Sequence, residues 1–185
     1  MPEPWNNWYH CNGNTYGTWV RGDARGWRAR HHREHCEGDY KNPPPPGTYD
    51  ALAKYSRNLM TRPEVHLSIK ARTRARDAMV EALHFHHIEL VALCVDDHHF
   101  HLLARFPNHD PRKWVGIAKK ESARTLSNEK FVEEGGIWAV LCRCLPINDR
   151  DHQLNVARYI RNHKSQGAAV WLLSKVSPQP TARWH

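Results

Sequence analysis

No run of eighteen apolar residues occurs in the chain, so no segment of it reads as a membrane-spanning helix. The first ten residues, MPEPWNNWYH, lack the basic stretch, the apolar stretch and the small-residue cleavage site of a secretory leader, which predicts a protein that stays in the cytoplasm. Cysteine is scarce and odd in number. Cys11, Cys36, Cys94, Cys142 and Cys144 are scattered, which argues against a disulfide framework and predicts reduced thiols. There is no CxxC pair: Cys142 and Cys144 stand two apart in an apolar run, a spacing that puts both on one face of a strand rather than in a zinc knuckle. Internal repeats are absent too, and low complexity is confined to Pro43 to Pro46 ahead of Gly47.

Acidic residues are outnumbered, with 19 Asp and Glu against 27 Lys and Arg, which gives a net charge of +8 and a pI near 9.4. A polyanionic partner follows, although a basic pI alone carries no specificity. The 185 residues suit one domain over 1–185 with a basic insertion at about 21–60, where residues 21 to 38 are nearly all charge, Gly and His.

Periodicity orders the rest. Residues 5 to 20 are aromatic and rich in Asn, Gly and Thr, which suggests a strand with a turn at Asn12-Gly13-Asn14. Tyr49 to Leu59 reads as a short helix and Ser68 to His84 as a longer one, with Ala78, Met79 and Leu83 inward. Ile88 to Val95 is an apolar run too short for a core helix and reads as a buried central strand. After a tight connection at Asp96-Asp97, His98 to Phe106 alternates. Phe100, Leu102, Ala104 and Phe106 face one way, and His99, His101, Leu103 and Arg105 the other. A helix opens at Pro111 and runs to Leu126, with Lys113, Lys119, Lys120 and Arg124 on an exposed basic side. Beyond the Gly135-Gly136 break, Ile137 to Leu145 reads as a strand, Asp149 to Asp151 cap a helix to about Gln166, and Ala168 to Leu173 is a final strand. The order β, α, β, β, α, β, α, β predicts an α+β fold, a ferredoxin-like antiparallel sheet with helices.

At 15 histidines, chance gives roughly one His-x-His pair, and two occur. His84-Phe85-His86 stands where a helix ends, a place where His meets terminal carbonyls, and reads as structural. His99-Phe100-His101 stands in the alternating strand, where period two aims both imidazoles out of one face while Phe100 anchors the other. Two neutral imidazoles about 7 Å apart along a strand can clamp a divalent ion, and two solvated histidines on an open face would give the same pattern. Tyr159 and His163 lie four apart on the predicted last helix and share its polar stripe with His152, Asn155 and Gln166, beside an apolar stripe of Val156, Ala157 and Ile160. A half-buried rim tyrosine would look alike; only the combination with the histidine pair favours chemistry.

These segments carry a resemblance. VALCVDDHHFHLLARF resembles the strand bearing the HUH motif, and LNVARYIRNHKSQGAAV resembles the tyrosine helix of single-tyrosine transposases, especially the REP-associated ones. The resemblance is good from about residue 85 to 171 and looser around Tyr9 to Tyr16. Asp97-His98 precedes the motif in place of the common Pro-Asn, and His stands where Gln or Asn is usual for the third ligand. The resemblance implies that His99, His101 and His163 hold a divalent metal, Mg²⁺ or Mn²⁺, and that Tyr159 is the nucleophile, forming a 5′-phosphotyrosine link and a free 3′-hydroxyl. It implies single-stranded or hairpin DNA as partner, a nucleoid-associated place of work, and a homodimer for full transposition, which must move two ends. An all-imidazole set favours Mn²⁺ and softer ions over Mg²⁺. Phosphate contacts are expected from Arg72, Arg74, Arg76, Lys119, Lys120 and Arg124, and base stacking from Trp5, Trp8, Trp19 or Trp27. The competing readings are a transposase-derived hairpin binder that does not cut, and a zinc module built from His31, His32, His35, Cys36 and the 84 to 87 cluster. A two-histidine phosphoesterase would need a pair of HxT or HxS motifs, and no such pair is present.

Overall fold

The computed structural model describes residues 4–27, 35–37, 42, 44–132 and 136–173. Much of the expected insertion, His31 and His32 of the zinc reading, and Gly135 of the glycine break lie outside the described residues. The elements are β1 (Trp8–Asn14), α1 (Asp50–Asn58), α2 (Ile69–Phe85), β2 (Glu89–Val95), β3 (His99–Arg105), α3 (Pro111–Asn128), β4 (Arg143–Pro146), α4 (Arg150–Asn162) and β5 (Ala169–Leu172). The strands form one sheet in the order β4-β1-β3-β2-β5, with every neighbouring pair antiparallel. This is the α+β arrangement expected, with the His-Phe-His strand at its centre. Among the described residues no helix is long and apolar enough to cross a membrane.

Period two on β3 sorts its side chains between two cores. Phe100, Leu102, Ala104 and Phe106 pack under α2 and α3 with Ala71, Ala75, Met79, Val115, Ala118 and Leu126. Leu103 joins Trp8, Ala92, Cys94, Val156 and Ile160 under α4 on the opposite face. Helix ends follow the sequence: Ser68 caps α2 by accepting from the Ala71 amide, and Asp149 caps α4 by accepting from the His152 amide at 2.7 Å. Glu89 interrupts the apolar run before β2's interior and is exposed, its carboxylate 3.4 Å from Arg105. The register of β2 against β3 shifts between Leu90 and Ala92, which explains why β2 does not alternate cleanly: the extra residue sends Leu90 to one core and Ala92 to the other.

Two expectations are corrected. Asn12-Gly13-Asn14 is not a turn, since β1 runs through it, paired with His101, Phe100 and His99. Gly13 is there because Phe100 lies against its backbone; a Cβ at Gly13 would be 2.8 Å from Phe100 Cε1. The strand expected over 137–145 is reduced to Arg143–Pro146, preceded by an isolated bridge from Trp138 to Thr15. Between them the chain leaves the ladder, exposing Val140 and Leu141. Lys119 accounts for this, because it is buried rather than on the exposed side of α3, and its ammonium donates to the Ala139 and Val140 carbonyls at 2.6 and 3.0 Å. In a straight edge strand these consecutive carbonyls would point to opposite sides, one to β1 and one to solvent; here both are gathered onto one buried cation.

Candidate active site

α4 packs on β2, β3 and β5, with Trp8 at the start of β1 joining its apolar side, and among the described residues no other helix covers the β1–β4 half of that sheet face. The histidine pair lies at the boundary. His99 and His101 project from β3 with ring centroids 5.1 Å apart, as the alternation predicts. Tyr159 and His163 come to the same place from α4, whose apolar stripe of Val156 and Ile160 is buried. Their rings are 4.9 Å apart, one helical turn of separation. His163 lies 5.3 Å from His99 and 4.9 Å from His101 between centroids, and the Tyr159 hydroxyl lies 3.4 Å from His101 Nε2. All four residues singled out from the sequence therefore meet within one chain.

The donor set suits a divalent ion. One ligand atom each from His99, His101 and His163 can be chosen with all three within 4.8 Å of one another, a spacing that small side-chain rotations close to two ligand bonds of about 2.1 Å. His99 Nδ1 and both ring nitrogens of His163 are buried without a hydrogen-bond partner. Leaving such atoms unpaired is costly, and at a functional site it marks the place of a missing partner. Burial favours neutral rings with free lone pairs. It pushes His99 down to about 4 and His101 to about 2, with the neighbouring His98 and His10 adding to the effect, and it lowers His163 as well. A second group, Asp97, His98 and His99, is more exposed, and its members are engaged with one another: His98 Nδ1 bonds Asp97, whose other oxygen faces His66 at 3.4 Å.

Tyr159 is half exposed, and the burial of its inner side raises the hydroxyl above its ordinary value. The phenol is thus held protonated at neutral pH, accessible from the open half of the sheet. Two residues that the sequence did not single out support the site. His10, on β1, bonds His101 Nδ1 through its Nε2 at 3.1 Å and stands edge-on to the Tyr159 ring at 6.1 Å. Asp96 is buried, 3.8 Å from His163 Nδ1, too far for a hydrogen bond but close enough to favour positive charge there. Nothing in the sequence separates His10 from the other histidines, since only the pairing of β1 with β3 puts it on this face.

The cations expected on phosphate lie elsewhere. Arg72, Arg74 and Arg76 belong to α2, and Lys119, Lys120 and Arg124 to α3, both on the sheet face opposite Tyr159. Arg72 spans the edge of the sheet, donating to the Leu67 and Gly167 carbonyls and lying 3.4 Å from Asp96. Arg74 pairs with Glu129 at 2.8 Å, Arg76 with Asp77 at 2.6 Å and Arg124 with Glu121 at 2.5 Å. Arg143, exposed on β4, has no ion pair among the described residues, and its charge reaches the His10 ring. In the pairing register it shares a row with Asn12 and His101. Of the other expected contacts, Trp8 is core, Trp19 is partly exposed under Arg25, and His84 and His86 pack on Trp171 and Trp114. All five cysteines are free thiols, with Cys142 and Cys144 sulfurs 3.9 Å apart on one strand face.

Known proteins place the chain. No curated protein matches it. Among solved structures, a REP-associated tyrosine transposase bound to a REP hairpin superposes with a TM-score of 0.50 at 12% identity, covering 90% of this chain and 72% of that one. At that identity the likeness shows the fold. The family model for IS200-like transposases matches residues 53–163, from α1 through β2, β3 and α3 to His163 at the end of α4. That span is more than half of the sequence, and the chain belongs to the IS200-like transposase family.

Proposed function

We propose that this protein nicks and rejoins single-stranded or hairpin DNA through a 5′-phosphotyrosine intermediate on Tyr159. The observation that carries the reading is the meeting of the Tyr159 hydroxyl, 3.4 Å from His101 Nε2, with three imidazoles whose nitrogens converge within 4.8 Å. A divalent ion held by His99, His101 and His163, Mn²⁺ in preference to Mg²⁺ on an all-imidazole set, would offset the charge that develops on the phosphate oxygens. The Tyr159 oxygen attacks phosphorus in line, its proton passing to water in the open half of the face. The bond from phosphorus to the 3′ oxygen breaks, that oxygen takes a proton from water as a free 3′-hydroxyl, and the 5′ phosphate remains on the tyrosine. Because one phosphoester replaces another, a second 3′-hydroxyl can reverse the step and join strands without ATP.

The substrate strand would lie along β1 and β4, the half-face that α4 leaves open, with Arg143 on a phosphate near the scissile one. Hairpin DNA as substrate draws support from the related transposase solved with a REP hairpin. Nicking needs one protomer, since the tyrosine and histidines of one chain meet; moving both ends of an element needs a homodimer, working at the nucleoid in the cytoplasm. The test is incubation with labelled single-stranded hairpin pools and Mn²⁺ or Mg²⁺, followed by denaturing electrophoresis. A metal-dependent covalent adduct, absent from Tyr159→Phe, is expected. Tight binding without any adduct would instead identify a hairpin binder that does not cut.

A further inference from the structure

An imidazole that ligates through one nitrogen needs its proton on the other, and something must hold that proton in place. His101 Nε2 faces the Tyr159 hydroxyl at 3.4 Å, which leaves it as the nitrogen free for a cation, because Nδ1 is engaged 3.1 Å from His10 Nε2. A hydrogen bond between two neutral rings has two arrangements. If His10 Nε2 carries the proton, His101 Nδ1 accepts it, and His101 Nε2 presents an N–H to the site and cannot bind a cation. If His101 Nδ1 carries the proton and donates to His10, the Nε2 lone pair faces the site.

Packing fixes this contact. His10 stands on β1 opposite Leu103 of β3 and Leu145 of β4, and His101 Nδ1 is its side-chain hydrogen-bond partner among the described residues, with His152 and Arg143 near enough for their charges to be felt. The His10 and His101 rings are 5.2 Å apart and tilted by 32°, and His10 lies edge-on to Tyr159 as well. His101 is 7% exposed, so water has little access to replace the bond. Among the described residues, His99 Nδ1 and both nitrogens of His163 have no hydrogen-bond partner, Asp96 standing 3.8 Å from His163 Nδ1.

We propose that His10 is a positioning residue, accepting the His101 Nδ1–H so that His101 Nε2 is kept as a lone pair aimed at the cation beside Tyr159. The proposal rests on the reading of His99, His101 and His163 as the ligand set. Its test is Mn²⁺ itself, titrated into the full chain and followed by the electron paramagnetic resonance of the free ion. The variants are His10→Leu, which removes the acceptor, His10→Gln, which returns an acceptor oxygen, and His99→Ala, which removes a ligand. His10→Leu is expected to bind Mn²⁺ about 10- to 100-fold more weakly, the usual consequence of deleting such an outer partner. His10→Gln is expected to stay within about threefold of the parent chain, well short of that loss. Nitrogen NMR of the apo protein should show His101 protonated at Nδ1 in the parent and in the Gln variant, and a mixture of tautomers in His10→Leu. Parent-like Mn²⁺ affinity in His10→Leu, with affinity lost in His99→Ala, would overturn the role of His10 and leave the ligand set standing. Equal weakening in the Leu and Gln variants, both melting like the parent, would also overturn it. If the parent chain binds no Mn²⁺, the ligand set and the role of His10 fall together.

Discussion

Replacing Gly13 by alanine should loosen the protein and its histidine pair together. The added Cβ would stand 2.8 and 3.0 Å from Cε1 and Cζ of Phe100, roughly 0.5–1.2 Å short of the 3.5–4.0 Å at which carbons rest. The ring has nowhere to retreat. Phe100 is fully buried and packs edge-on to Trp138 at 5.2 Å, and the Trp138 indole N–H is bonded to Ser122 Oγ at 2.9 Å. The strain must be relieved by parting β1 from β3, at a cost of about 1–3 kcal/mol, the range for overpacked cores. For a chain of this size that is a fall in Tm of about 2–12 °C. Phe100 is flanked in sequence by His99 and His101, and β1 carries His10, so the same displacement should lower Mn²⁺ affinity. Thermal melting followed by circular dichroism measures the first effect and Mn²⁺ titration the second. Phe100→Leu removes the obstructing ring, so adding Gly13→Ala on that background should cost less than it does alone. A Gly13→Ala protein as stable as the parent, or an equal loss with and without the Phe100 ring, would refute the argument.

Other changes have equally definite outcomes. Lys119→Met should lower stability by about 1–3 kcal/mol by releasing the Ala139 and Val140 carbonyls, and leave the salt dependence of DNA binding unchanged; a reduced salt slope would show that Lys119 reaches DNA after all. Arg143→Gln should weaken single-stranded DNA binding and reduce the slope of log affinity against log salt by about one, whereas Arg124→Gln, whose guanidinium is held by Glu121, should change neither. The metal-free protein should lose stability as pH falls. His10 and His99 titrate near 4 when folded and near 6.5 when unfolded, so the unfolded chain takes up protons first and destabilisation grows from about pH 6.5 down to about 4. A melting temperature that is constant or rises over that interval would contradict the neutral, buried state of these rings.

The parts of the molecule legible in its sequence are those where one local rule acts. β3 alternates because one face is wholly apolar core while the other carries the two histidines before Leu103 joins the second core, and α4 shows its polar and apolar stripes because it covers the sheet with one side only. Helical spacing puts Tyr159 and His163 on one face of α4 for the same reason. What the sequence hid depends on neighbours far along the chain. Gly13 resembles a turn residue until the Phe100 ring is placed against it. Lys119 has the composition of a surface cation, yet its stem lies in the core and its charge satisfies two backbone carbonyls 20 and 21 residues away. The spacing of Arg72, Arg74 and Arg76 does not reveal that α2 packs on the face away from Tyr159, nor that the Arg72 and Arg76 guanidinium groups donate to the carbonyls of Gly167 and Val170. His10 gains its meaning only from the register of β1 on β3.

One feature of α4 bears on how the site comes into being. Tyr159 and His163 ride on the same helical segment, seated by Val156 and Ile160, while His99 and His101 belong to the strand at the sheet's centre. Tyr159 therefore never reaches the histidine pair without bringing His163 along, and a withdrawn α4 takes both away at once. Under the proposed function, reactivity in such a design would be all-or-none: partly assembled or locally opened molecules present two strand histidines and no tyrosine, and would leave a bound strand uncut.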